Sequence, residues 1–388
     1  MCANNGVFTT KKYLNKHESI IYSGKDWVWL KFFAKGYLFH RQKIIKYKDT
    51  KFIEEALING LQLLKSKLPS LEILSLENTV SNNFFDSIIT LFATSYVILK
   101  KNGNLNQISK EYLILLFPRH NVSFPEIVEK EKNLFINEIK KTLFQSNADK
   151  ELFIQRYMVP QFIYYHESIL SLSWLLNMEG WEAINIRYCI EWTQLYPRMN
   201  IDNLKVIFTF LCKNHEENKL ITIIDEKIKN FLITNDNIIG PPTQNSITEK
   251  KFWFEAAFFF LNDDIDEVWC YLKQEPETII LFYNLVSGWP DYKENWPTLT
   301  AKKIYKILDY FIDVCVPTEE TQACSSDNTR EEKEYSTLVA LIKYIDKDYK
   351  NCFDIFNKLL IDPRFEKLHK YILHHRYCKY PIVSTQTK

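Results

Sequence analysis

Arg364 and His369 stand five residues apart near the end of a 388-residue chain. Imidazole can move protons near neutral pH, and a guanidinium can hold a phosphate through paired hydrogen bonds, so together they would suit phosphodiester cleavage. Cys212 and His215, with His374, His375 and Cys378, supply nitrogen and sulfur donors in two closely spaced sets, the ligand chemistry of zinc. Nothing in the sequence joins the two sets, and buried thiols beside surface histidines are the reading adopted, with no metal site. Asp263, Asp264, Asp266 and Glu267 could hold a divalent cation, but the glycine and terminal glutamate of a calcium loop are missing. Acids of this kind are what the start of a helix wants. His166 and Glu167 could form an acid–base couple, yet no third group that would orient it is identifiable, and a buried polar pair is expected.

The stronger signal lies at the other end. Residues 1–67 carry 13 Lys or Arg against 5 Asp or Glu, a net charge of +8 in a chain whose total is only +1. Lys31, Lys35, Arg41, Lys43, Lys46, Lys48 and Lys51 interleave with Trp27, Trp29, Phe32, Phe33, Tyr37, Phe39, His40 and Tyr47. Cations for phosphates beside flat rings for bases would make a single-strand or RNA-binding surface. The same set suits an acidic protein partner, and aromatic stripes most often belong to a core.

Other chemistry is excluded. The two nearest glycines, Gly24 and Gly36, are too far apart for a Walker loop or a dinucleotide fingerprint, each of which gathers its glycines within one short turn. Neither an HExxH zinc motif nor a GxSxG nucleophile elbow occurs. The Arg364–His369 spacing resembles that of HEPN-type ribonucleases, although Phe365 stands where that motif usually has a small polar residue. The resemblance implies an RNA-cleaving pair and ranks below the binding readings. Eight cysteines without a CxxC pair, and an N-terminus lacking signal-peptide features, suggest reduced thiols and a cytoplasmic protein. The apolar run Phe84–Leu99 is interrupted by Asp86 and falls short of the ~20 residues of a membrane span.

These residues must be positioned by helices. Only 8 glycines and 13 prolines occur, far below the needs of a sheet- or loop-rich chain. Apolar residues recur at helical period along most of the sequence. Helices are expected over 51–68, ended by Pro69, and over 83–101, ended before Gly103. Another is expected over 123–144, opened by Ser123 and Pro125. Further helices read at 149–158, 160–178, 181–196, 202–213, 217–233, 249–262, 264–273, 277–287, 300–315, 331–346, 348–360 and 363–379. The aromatic stretch 25–51 suits either two helices or a small β hairpin, and Asp26–Phe39 within it leans helical. Loops are expected at Thr234–Thr248, Gly288–Pro297 and Val316–Asn328, and no clean repeat of ~30–50 residues is found.

The expected fold class is mainly α, a multi-helix bundle or an irregular α-solenoid-like array. Three regions are drawn: a basic, aromatic one at 1–122, a central one at 123–238 and a C-terminal one at 248–388. The expected function is non-catalytic recognition or scaffolding with a protein partner and without a cofactor. The alternative is nucleic-acid binding through Trp27, Trp29, Lys31, Lys35, Arg41, Lys43, Lys46, Lys48 and Lys51, as an accessory of nucleic-acid processing or of a mobile-element or defence system.

Overall fold

The computed structural model describes residues 12–76, 85–119, 122–164, 168–196, 199–234, 244–261, 268, 296–297, 299–314, 330–345 and 352–379. Among them every regular element is a helix, and the mainly α class follows. No strand occurs between 25 and 51, so the β alternative for that stretch is corrected. His166, Glu167, the acidic cluster at 263–267, the helices expected at 264–273 (save residue 268) and 277–287, and most of the three expected loops lie outside the described residues. No helix among the described residues is long and apolar enough to cross a membrane.

The chain forms two compact units, Met1–Ile184 and Asn185–Lys388. This grouping differs from the three regions drawn on composition.

In the first unit the helices are α1 (Glu18–Tyr22), α2 (Trp27–Phe39), α3 (Arg41–Ile44), α4 (Thr50–Asn59), α5 (Leu61–Leu64), α6 (Leu71–Ser75), α7 (Phe85–Asn102) and α8 (Lys110–Leu116). After a 3-10 turn at Phe117–Arg119 come α9 (Glu129–Leu143), α10 (Asn147–Tyr157), α11 (Val159–Tyr164) and α12 (Leu170–Leu176), and α13 (Glu182–Leu195) begins at the end of the unit. α7 is the central element: every side chain from Ser87 to Ile98 is buried, and α2, α4 and α8 pack around it. Its four small polar residues Ser87, Thr90, Thr94 and Ser95 sit inside, and Thr94 donates to the Leu57 carbonyl of α4 at 3.3 Å. α7 ends where Gly103 takes a positive φ of 71°, the left-handed geometry of a helix stop.

Two local expectations need correction. The helix expected over 51–68 breaks at Gly60, where a Cβ would stand 2.6 Å from both Leu30 methyls. The helix expected from Ser123 starts only at Glu129, because burial of Phe124 and Ile127 holds 122–128 as a turn and the Glu126 N–H is spent on the Leu38 carbonyl at 3.2 Å. At α10 the cap is complete: Ser146 and Asp149 exchange hydrogen bonds in a capping box.

The second unit contains α14 (Ile201–Lys213), α15 (Glu217–Thr234), α16 (Gln244–Phe260), α17 (Ala301–Val314), α18 (Arg330–Ile345), α19 (Cys352–Ile361), a 3-10 turn at Pro363–Leu368 and α20 (His369–Lys379). Residues 244–248, expected as loop, form the first turn of α16. Phe208, Phe252, Trp253, Phe260 and Trp296 build an aromatic core for α14–α16. Apolar residues at i, i+3, i+4 and i+7 of α17, namely Ile304, Ile307, Leu308 and Phe311, are all fully buried. Lys303, 3% exposed, donates its ammonium to the Phe258 and Leu261 carbonyls and so closes the C-terminal end of α16.

Candidate binding surface

The basic stretch is built on α2. Asp26 caps it, its carboxylate accepting from Val28 N at 3.0 Å and Trp29 N at 3.1 Å, and this sets the rotation of the helix. One face, Trp29, Leu30, Phe33, Ala34, Gly36, Tyr37 and Leu38, is buried. The opposite face, at i, i+4 and i+7, carries Val28, Phe32 and Lys35 into solvent. α3 then folds back across α2 at Gly36, where a Cβ would meet Ile44 Cγ2 at 1.9 Å. Tyr47, in the turn after α3, packs on Phe32 with ring centroids 5.4 Å apart and lies 6.4 Å from Trp29. That contact brings the turn of Ile45 and Lys46, which follows Lys43 of α3, towards the exposed face of α2.

Most of the expected cations are already engaged. Asp86, in the first turn of α7, pairs with Lys31 at 3.2 Å and Lys35 at 2.5 Å. Burial alone would raise the Asp86 carboxyl, but the hydrogen bonds from Lys35 and Lys31 outweigh it and hold the group below its ordinary range. Lys48 pairs with Glu18 at 2.7 Å and lies 5.1 Å from the Phe52 ring. Arg41 is a clamp: its guanidinium lies 4.3 Å from the Tyr37 ring, and one nitrogen donates to the Tyr37 and Glu126 carbonyls, both at 3.5 Å. Its backbone N–H donates to the Glu126 carboxylate at 3.1 Å. Beneath it, the Tyr37 hydroxyl donates to Glu54 at 2.7 Å, and burial with that carboxylate raises the phenol's pKa.

The aromatic residues are similarly committed. Trp29 is 6% exposed and Phe33 and Tyr37 are buried, while Trp27 is half-buried with Lys31 Nζ 5.8 Å from its ring. What remains outside is three exposed lysines, Lys43, Lys46 and Lys51, held by no ion pair among the described residues. The same stretch also exposes the apolar side chains of Val28, Phe32 and Ile45, at 69%, 38% and 39%. Sequence reasoning passed over Val28 and Ile45. The spacing Val28–Phe32–Lys35, opposite Trp29–Phe33–Tyr37, was the signal that could have found Val28.

No protein-family model, no curated protein and no solved structure matches this chain.

The other candidate groups are placed as follows. Arg364 lies in the 3-10 turn before α20 and is enclosed by carboxylates: Asp309 at 2.5 Å, Asp313 at 2.7 Å and Asp362 at 2.6 Å. Hydrogen bonds that it donates to Asp362, Asp313 and Asp309 raise its pKa further, so this cation is matched by an excess of negative charge rather than open to phosphate. His369 opens α20 with its Nε2 buried and without a hydrogen-bond partner. Cys212 is buried on α14, where burial, with Glu217 adding to it, pushes the thiol up to about 12. His215 follows in a left-handed turn at φ 60°, and among the described residues no group of three or more His, Cys, Asp or Glu is placed to hold a metal ion. Cys189, Cys212 and Cys352 are buried and form no disulfide.

Proposed function

We propose that this chain is a non-catalytic helical recognition or scaffold protein that acts in a protein complex. The supporting observation is the fate of the basic, aromatic stretch. Most of its rings are spent on the core and on one another, while its solvent face presents aliphatic and phenyl surface together with uncommitted lysines. Stacking platforms for bases need free ring faces, whereas protein anchors need exposed apolar side chains set in a polar rim. The engagement of Arg364 by three aspartates supports the non-catalytic part, since the group that would hold a phosphate already carries anions.

Lys43, Lys46 and Lys51 favour a second reading, nucleic-acid binding by backbone contacts alone. One preparation separates the two. Tagged full-length protein drawn from its native cells is expected to run in a stable complex that survives nuclease treatment. Recovery of a free chain, or of a complex that nuclease dissolves, overturns the leading reading.

A further inference from the structure

We propose that the α2–α3 surface formed by Val28, Phe32 and Ile45 with Lys35, Lys43 and Lys46 docks an acidic protein segment whose carboxylates are interleaved with apolar side chains. The inference rests on the protein-recognition reading and names the partner's chemistry.

Three features converge on this occupant. First, the surface is apolar where solvent should favour polar groups: Val28 and Phe32 are one turn apart on α2, and Ile45 is presented by the turn that Tyr47 pins against Phe32. Second, the charge left unpaired on it is positive. Lys43 and Lys46 face solvent one helical turn apart with no ion pair among the described residues, and Lys35 is half-exposed even while it holds Asp86. Among the nearby carboxylates, Asp86 and Glu18 pair with Lys31, Lys35 and Lys48, Asp26 and Asp49 cap α2 and α4, and Glu126 accepts the Arg41 N–H, so the charge that complements Lys43 and Lys46 comes from outside. Third, the rings at this surface are locked edge-to-face, Trp29 on Phe32 at 83° and Phe32 on Tyr47 at 87°. That arrangement commits Trp29 and Tyr47 to Phe32 and leaves the partly exposed Phe32 ring, with the Val28 and Ile45 side chains, for apolar anchors. A phosphodiester backbone would answer the lysines and leave these three uncovered. A carboxylate-rich segment with Leu, Ile or Phe anchors answers both.

The test pans a display library of random peptides on the full-length protein and measures the enriched peptides by fluorescence anisotropy. Two variants are run beside the wild type, Ile45→Asp and the pair Lys43→Glu with Lys46→Glu; both alter exposed side chains, and circular dichroism checks that they fold. The alanine pair replaces the glutamate pair if the latter does not fold. Enrichment of Asp/Glu-rich peptides with interleaved apolar residues, bound at least about tenfold more weakly by each variant, is the expected result. Enriched peptides that bind the variants as tightly as the wild type, or that lack acidic residues, overturn this surface while leaving protein recognition standing. Failure to enrich any peptide, together with single-stranded RNA binding that the lysine variant abolishes, overturns both.

Discussion

The ring of Tyr47 meets that of Phe32 edge-on, with centroids 5.4 Å apart and planes at 87°. This contact joins the turn after α3 to the outer face of α2, and it shares Phe32 with Trp29, whose ring is 5.3 Å away. Removing the Tyr47 ring therefore loosens the attachment of Lys43, Ile45 and Lys46. Tyr47→Ala is expected to lower unfolding free energy by about 1–2 kcal/mol, the loss of an aromatic pair plus the area it covers. Charge reversal at the exposed Lys43 and Lys46 is expected to stay within about 0.5 kcal/mol. Urea denaturation of the three proteins checks the contrast, and equal losses would mean that the lysines are structural.

Gly36 is the second hinge of the same surface. It lies inside α2 with an ordinary helical backbone, so alanine would gain helix propensity of about 1 kcal/mol if space allowed. Space does not allow it, because the added methyl would meet Ile44 Cγ2 at 1.9 Å. Gly36→Ala is expected to be net destabilising by about 1–2 kcal/mol, as overpacked sites are. Combining it with Ile44→Ala is expected to cost less than the sum of the single changes, since the second substitution opens the space the first one needs. An additive double-mutant cycle would show that α3 already yields.

How far the sequence carried the reading depends on how local each cause was. Scarce glycine and the helical period announced an all-helical chain, and Gly103 marked the end of α7 by its own backbone geometry. Pro125 misled because a proline near a helix start is a local signal, while the tie between Glu126 N–H and the Leu38 carbonyl is not. The candidate surface shows the same divide. That Lys31 and Lys35 belong to Asp86, and Arg41 to Glu126, depends on tertiary packing between segments remote in the chain. Composition saw seven cations and could not see which were spoken for. Ile45 was hidden for a similar reason: its exposure follows from how α3 crosses Gly36, which no periodicity encodes.

Acid titration should expose one of these long-range ties. Arg156 on α10 grips Glu72 on α6 with two nitrogens, at 2.5 and 3.2 Å, and those hydrogen bonds bring the carboxyl from its ordinary 4.5 to about 2. A depressed folded-state value means that the stabilisation is fully present above pH ~4.5 and drains away as pH falls from there towards 2. Both side chains are more than a third exposed, so solvent screening keeps the contribution to about 0.5–1 kcal/mol. Glu72→Gln is expected to be less stable than wild type by that amount at pH 7 and indistinguishable from it near pH 2. Paired urea melts at the two pH values measure the difference, and a gap that persists in acid would assign the loss to packing instead of charge.

Arg364 tests the non-catalytic assignment from the other direction. Its guanidinium neutralises Asp309 and Asp313 of α17 together with Asp362, which caps the 3-10 turn through Arg364 N at 3.0 Å. Hydrogen bonding to Arg364 leads the effects that hold Asp362 below its ordinary value. Arg364→Ala strands three carboxylates against one another and is expected to destabilise the second unit by about 1 kcal/mol, the scale of an exposed ion-pair network. Arg364→Lys restores charge without the fork and is expected to recover only part of the loss. The deficit of the alanine variant shrinks as pH falls through the carboxylate range, because protonation removes the repulsion it created. RNA incubated with wild type or variant is expected to remain intact in both cases. Cleavage by the wild type that vanishes in Arg364→Ala, with His369→Ala giving the same loss in a folded protein, would instead make this pair catalytic.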